Sequence, residues 1–250
     1  LKNKTGTCRI CGKHTTLTFE HIPPKVAFNH SPVRTFNGES IAKNEGGKKI
    51  KYKINQRGSG DYVLCRNCNS YNGLWYVPEY AKIAKELGYV ILQNKDLNEG
   101  DIITIKFQDV TPLAFIKAII SIICCTIDYK TVKKFRFDEF LLDKELNNLD
   151  FLDYDIEIYA LSNYSVTHDT GVTVLGKKDI YGSYYSEVVA EAAYFPIGVI
   201  FHIRPEKAID YGISLKNFKD LDYEKYDLKM SIPFHKNPYH PLVKILKIKC

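Results

Sequence analysis

Apolar and polar positions along this chain fall mostly into short alternating runs, interrupted by two longer helical patterns. Leu17-Thr18-Phe19 alternates, and residues 1–22 around it read as a β-hairpin. Residues 23–60 are loop-like, punctuated by Pro23-Pro24, Pro32, Gly38, Gly46-Gly47 and Gly58-Ser59-Gly60. A connection of that length is usually functional or mobile. Inside it Ile50, Tyr52 and Ile54 alternate with Lys49, Lys51 and Lys53, the pattern of a strand with one charged face. Asp61 to Leu64 reads as a strand. A helix follows over about Ser70 to Leu87, carrying the apolar stripe Trp75, Tyr76, Tyr80, Ile83, Ala84 and Leu87. Pro78 inside that stretch predicts a kink or restart, and Gly88 predicts the stop.

The remainder alternates strand and helix signals without an internal repeat. Residues 101–110 put Ile103, Ile105 and Phe107 on one strand face, and Pro112 opens an apolar helix to about Asp128. A short helix is expected from Phe137 to Leu146. Strand-like runs cover 155–161, 165–174, 187–193, 197–203 and 228–234. The pattern predicts an α+β fold. Its first unit spans residues 1–90, and a mixed α+β unit spans 91–250.

Composition narrows this picture only a little. A chain of 250 residues with 45% hydrophobic and 26% charged residues is ordinary globular material for one or two domains. The longest apolar run, Leu113 to Ile127, is interrupted by Lys117 and falls short of the ~18 residues that span a bilayer. No membrane partner is expected. The polar, basic start shows no signal-peptide pattern, so the cytoplasm is the expected compartment.

Charge changes the picture more. Residues 1–80 hold 13 Lys and Arg against 5 Asp and Glu, a net of +8, within a chain whose total is +6. A basic first third favours a polyanionic partner, DNA or RNA.

The basic third also holds Cys8-x-x-Cys11 and Cys65-x-x-Cys68. Two thiolates on a tight turn can reach one ion, and two such turns supply the four ligands of tetrahedral Zn²⁺. In a reducing compartment this spacing argues for metal and against disulfides. The 53 residues between Cys11 and Cys65 exceed the ~15–20 of an ordinary zinc ribbon, so the knuckles house something else. Cys124-Cys125 lie in the apolar run and read as core. Between the knuckles stands Glu20-His21-Ile22-Pro23-Pro24. It pairs a carboxylate ligand with a candidate base, provided that a bulge or strand end brings both side chains to one point.

The order CxxC, Glu-His-Ile-Pro-Pro, Gly-rich loop, strand, Leu-Cys-x-x-Cys-Asn, helix resembles the HNH endonucleases of the ββα-metal class, in their zinc-stapled form. The resemblance covers about residues 8–76. It implies an N-terminal ββα-metal unit in which His21 is the general base that takes a proton from the attacking water. It implies that Glu20 and Asn69 ligate one Mg²⁺ or Mn²⁺ ion, separate from the structural Zn²⁺. One departure is visible: Gly60 stands where the family's middle Asn is usual, leaving Asp61 or Asn55 to substitute. Lys25, Arg34, Lys49, Lys51, Lys53, Arg57 and Arg66 are candidate phosphate contacts.

His168, His202, His235 and His240 have no metal-ligand or catalytic spacing and read as structural or surface residues. No Walker-type or dinucleotide-binding glycine loop is present. The leading expectation is a cytoplasmic, metal-dependent endonuclease acting on DNA or, alternatively, RNA. Residues 91–250 would serve substrate recognition, a regulatory protein partner or homo-oligomer formation. The resemblance also fits the nuclease of a prokaryotic defence or restriction system. The rival is a non-catalytic zinc module that binds nucleic acid or protein.

Overall fold

The computed structural model describes residues 4–36, 52–149, 151, 153–163, 168–178, 184–203, 211–218 and 221–239. Lys49, Lys51, the Gly46-Gly47 pair, His240 and Cys250 lie outside the described residues. So do the side chains of Arg34 and His168.

The first unit is built from strands β1 (Thr5–Thr7), β2 (His14–His21) and β5 (Gly60–Cys65). They form an antiparallel sheet in the order β1-β2-β5. Between β2 and β5 the chain makes a separate ribbon of β3 (Val33–Phe36) and β4 (Tyr52–Asn55), with Phe36 opposite Tyr52. The basic alternation around Tyr52 and Ile54 is therefore a strand as far as it is described. Helix α1 (Arg66–Trp75) starts directly after β5.

The predicted single helix with a break at Pro78 is two helices, α1 and α2 (Val77–Gln93). Pro78 occupies the first turn of α2, where a missing N–H leaves no carbonyl unsatisfied. The predicted stop at Gly88 does not occur. Gly88 lies mid-helix because a Cβ there would come within 2.7 Å of the Phe28 ring. Close packing, and not a C-cap, accounts for that glycine.

The second part starts with β6 (Ile102–Val110) and the apolar helix α3 (Pro112–Cys124). The apolar pattern predicts α3 to run to Asp128, yet it ends earlier. The Asp128 carboxylate instead accepts from the Thr131 N–H at 2.8 Å and caps a further helix, α4 (Tyr129–Lys134), which the apolar pattern does not reveal. Helix α5 (Phe137–Leu142) is shorter than predicted. Strands β7 (Tyr154–Leu161), β8 (His168–Lys178), β9 (Tyr184–Tyr194), β10 (Ile197–Ile203), β11 (Ile213–Ser214) and β12 (Tyr226–His235) follow. They join β6 in a sheet of order β6-β12-β7-β10-β9-β8, with β11 paired to β7. Its pairings are antiparallel except for a short parallel contact of β12 with β7.

Every residue of α3 is buried. It packs against α1, α2, α5, β9 and β10. One apolar core runs from Cys8 and Ile10 through α3 to Phe201 and Phe234. Residue 90, the expected boundary, lies inside α2. Lys117 is the one charged residue in α3. Its ammonium donates to the carbonyl of Phe140 and, at 2.7 Å, to that of Asp143, satisfying the end of α5. His202 is buried beside Glu157, and His235 is held by Glu99 and the Tyr211 carbonyl.

Candidate metal centre and acidic-histidine cavity

Cys8 to Cys11 forms the tight turn joining β1 to β2. The N–H of Gly12 donates to the Cys8 carbonyl at 2.9 Å, and Gly12 takes φ +70°, a conformation that favours glycine. Cys65 closes β5 and Cys68 lies in the first turn of α1. Pairing of Leu17 with Cys65 across β2 and β5 brings the two knuckles together. The four Sγ atoms lie within 4.8 Å of one another, with Cys11 and Cys65 at 3.8 Å. Four sulfurs ~2.3 Å from a tetrahedral zinc are about 3.8 Å apart, so the donor set and its size suit such a metal.

The hydrogen bond with Cys68 pulls the Cys8 thiol down to about 4, while the same bond and burial push Cys68 far up. A cation at the centre lets all four ionise together. The cluster could hold zinc, and four sulfurs would complete its shell and leave no open position for chemistry. Arg9, inside the first knuckle, donates to the Cys125 carbonyl and ties the cluster to the end of α3.

Glu20 and His21 end β2, and the period-two alternation of a strand holds through them. Phe19 and His21 share a face, their rings meeting edge-on at 5.0 Å, whereas the Glu20 side chain enters the core and is 7% exposed. The β-bulge expected to reorient the pair lies earlier, at the Thr18/Phe19 register shift. Both residues nevertheless line one cavity of about 10 Å³, enough for a single water-sized occupant. Asn72 of α1 and Ser121 of α3 also line it, with Ile22, Ala118 and Ile122 as apolar wall. Burial raises the Glu20 carboxyl to about 7, opposed by a hydrogen bond from Asn72.

Asn69 and Asn72 divide the roles expected of Asn69 alone. The Asn69 amide donates to the Thr18 hydroxyl at 2.9 Å and, more weakly, to the Phe19 carbonyl at 3.4 Å, pinning α1 onto β2. Asn72, one helical turn on, stands beside Glu20 in the cavity. Asn72, and not Asn69, lines the cavity with Glu20. The carboxylate follows the buried face of β2, and Asn72 is the residue that reaches that face. Asn72 Oδ1 is buried and has no hydrogen-bond partner. Asn72 meets Glu20 through its amide N–H; with that amide turned over, its oxygen and the carboxylate would form a hard donor set that suits Mg²⁺ or Mn²⁺.

His21 Nε2 is 3.1 Å from the Arg57 carbonyl. With Nε2–H donating there, Nδ1 is left as the acceptor. Burial, with the charges of Lys25 and Arg57, holds the imidazole below its ordinary value of 6.5, against the Arg57 carbonyl bond. His21 is therefore a free base at neutral pH.

The two residues expected to stand in for a middle Asn are placed elsewhere. Asp61 is exposed, paired with Lys4 at 2.8 Å and accepting from the Tyr62 N–H. Asn55 pairs with Val33 in the β3–β4 ribbon. The residue that clamps the backbone is Asn29, which the sequence reading did not single out. Its amide donates to the carbonyls of Pro23 at 2.6 Å and Ser59 at 2.8 Å, and its Oδ1 accepts the Ser59 N–H at 2.7 Å. That clamp spans the segment after His21 and the turn whose Arg57 carbonyl orients His21. Gly58 sits at φ +93° in the same turn, and a Cβ there would strike Asn29.

Lys25, Lys53, Arg57 and Arg66 are exposed, and Lys25 and Arg57 lie near enough to His21 to act on it electrostatically. Tyr76 is core, as expected. Trp75 is only half-buried and stacks on exposed Tyr71 at 4.8 Å. No helix among the described residues is long and apolar enough to cross a membrane. In comparisons with known proteins, no family model, curated protein or solved structure matches this chain.

Proposed function

We propose that this protein is a metal-dependent endonuclease that hydrolyses phosphodiester bonds of DNA, with a zinc ion as a structural staple. The observation that carries the reading is one shared cavity. His21, oriented as a free base, and Glu20, facing Asn72, line the same small space at the junction of β2 and α1. Two antiparallel strands followed directly by a helix, stapled by four cysteines, is the frame that the ββα resemblance implies.

In this reading His21 Nδ1 accepts the proton of the water that attacks phosphorus. The Arg57 carbonyl fixes the imidazole's orientation, and the Asn29 clamp fixes that carbonyl's turn. Glu20 and Asn72 would hold the divalent cation through oxygen. That cation, when bound, supplies Lewis-acid neutralisation of charge at the leaving oxygen. Exposed Lys25 and Arg57 draw the phosphate backbone to the same edge, a salt-dependent contribution.

The test compares variants on closed circular DNA with Mg²⁺ or Mn²⁺. Glu20→Gln and Asn72→Ala lower the cleavage rate by about 100-fold or more. Asn69→Ala acts mainly through loss of a hydrogen bond worth about 1 kcal/mol of stability. Equal loss in all three without a change in metal affinity would remove the cation-site reading. Salt-sensitive DNA binding without cleavage, indifferent to Glu20 and His21, would favour a non-catalytic zinc module.

A further inference from the structure

The cavity that holds Glu20 is not closed by the β2–β5–α1 unit alone. Helix α3, more than a hundred residues from the first knuckle, also lines it, and the hydroxyl that α3 presents is Ser121. Ser121 is 1% exposed, and its Oγ has no hydrogen-bond partner. A helical serine ordinarily satisfies its hydroxyl on the carbonyl four residues back. This one does not, and a buried hydroxyl left unpaired costs about 1–3 kcal/mol. Asn72 Oδ1, the other orphan in this cavity, is buried to a similar degree at 6% exposed. Glu20, Asn72 and Ser121, the last two each carrying an unpaired buried oxygen, thus line one space of about 10 Å³ among mostly apolar neighbours.

The geometry points to Ser121 as a third oxygen ligand, completing with Glu20 and Asn72 a single-cation site that bridges the two halves of the chain. This rests on the cation-site reading above. It goes beyond that reading by making α3 part of the site. Helix α3 is packed against β9 and β10, so the cation position is referenced to the large sheet as well as to the zinc-stapled unit. The donor set is one carboxylate and two neutral oxygens, which suits a hard divalent cation.

The experiment is a Mn²⁺ titration of the zinc-loaded full chain, read by the electron paramagnetic resonance signal of free Mn²⁺. The wild type binds one Mn²⁺, and Glu20→Gln abolishes it. Ser121→Ala weakens Mn²⁺ binding by about tenfold or more with zinc content unchanged. Ser121→Thr, which keeps the hydroxyl, restores affinity toward wild type. If Ser121→Ala loses zinc or its folded spectrum, Ser121→Cys makes the same comparison at nearly constant volume, because a thiol is a poor Mn²⁺ ligand. Mn²⁺ affinity unchanged in both Ser121→Ala and Ser121→Cys overturns the assignment and leaves a bound water as the partner of that hydroxyl. A wild type that binds no Mn²⁺ overturns it too. Mn²⁺ binding that depends on Ser121 in a protein that cuts no DNA supports this site while refuting the endonuclease reading. Cleavage that requires Glu20, with Mn²⁺ affinity indifferent to Ser121, does the reverse.

Discussion

His21 owes its proposed role to three neighbours that no local motif contains. Its strand position sets which way the ring faces, the Arg57 carbonyl sets the tautomer, and Asn29 holds that carbonyl's turn. Burial and the nearby cations keep the imidazole neutral below its ordinary 6.5. The acid limb of a cleavage-versus-pH profile therefore falls below pH 6.5. At saturating Mn²⁺, which keeps Glu20 ionised although burial alone raises it to about 7, activity is lost as His21 protonates on the acid side. A rate–pH series at fixed Mn²⁺ checks this, and a limb centred above 7 would remove His21 as the base. The Glu-His pair was legible in the sequence because both residues are adjacent there. Asn72 was visible there only as a helix residue that could help the metal site or cap the turn, and Asn29 and Ser121 were not legible. Their roles depend on which strand face Glu20 follows and on which helix is laid against it. Ser121 in particular sits in a run that reads as uniform core.

At the scale of elements, apolar period located most strands and helices, and local rules misplaced their ends. Asp128 looked like the tail of α3 and is the cap of α4. Gly88 looked like a stop signal and is a contact. The difference lies in tertiary packing: Phe28, four residues before Pro32 in the long connection, lays its ring over α2 at Gly88, with Phe195 behind it at 4.8 Å. Alanine at 88 gains about 1 kcal/mol of helix propensity and loses about 1–3 kcal/mol to overpacking. Gly88→Ala therefore destabilises by about 1 kcal/mol net. It also displaces the connection that carries Asn29, so cleavage falls along with stability. Denaturant melts paired with a cleavage assay read both effects, and a stabilised variant of full activity would contradict the contact.

Among the described residues, the four-cysteine unit and the large sheet share one core through α3. The sequence suggested a division near residue 90 because charge and chemistry change there, while burial does not. Four sulfurs within 4.8 Å of one another could hold a zinc ion in a closed shell. About one zinc per chain is expected by atomic absorption. Its removal with a thiol-reactive mercurial should lower the melting temperature and release the β1-β2-β5 sheet. Because Arg9 ties the first knuckle to Cys125, that release also opens the Glu20 cavity and lowers Mn²⁺ affinity. Zinc-free protein with unchanged melting and Mn²⁺ binding would show that the cysteines are not the staple.

The central claim is that this cavity cuts the phosphodiester backbone internally. The most direct measurement is nicking of closed circular DNA by zinc-loaded wild type and His21→Ala, side by side with Mg²⁺ or Mn²⁺. The account predicts metal-dependent nicking by the wild type and a rate at least about 100-fold lower in the variant. Equal rates, or no cleavage of DNA or RNA by the wild type, would contradict it.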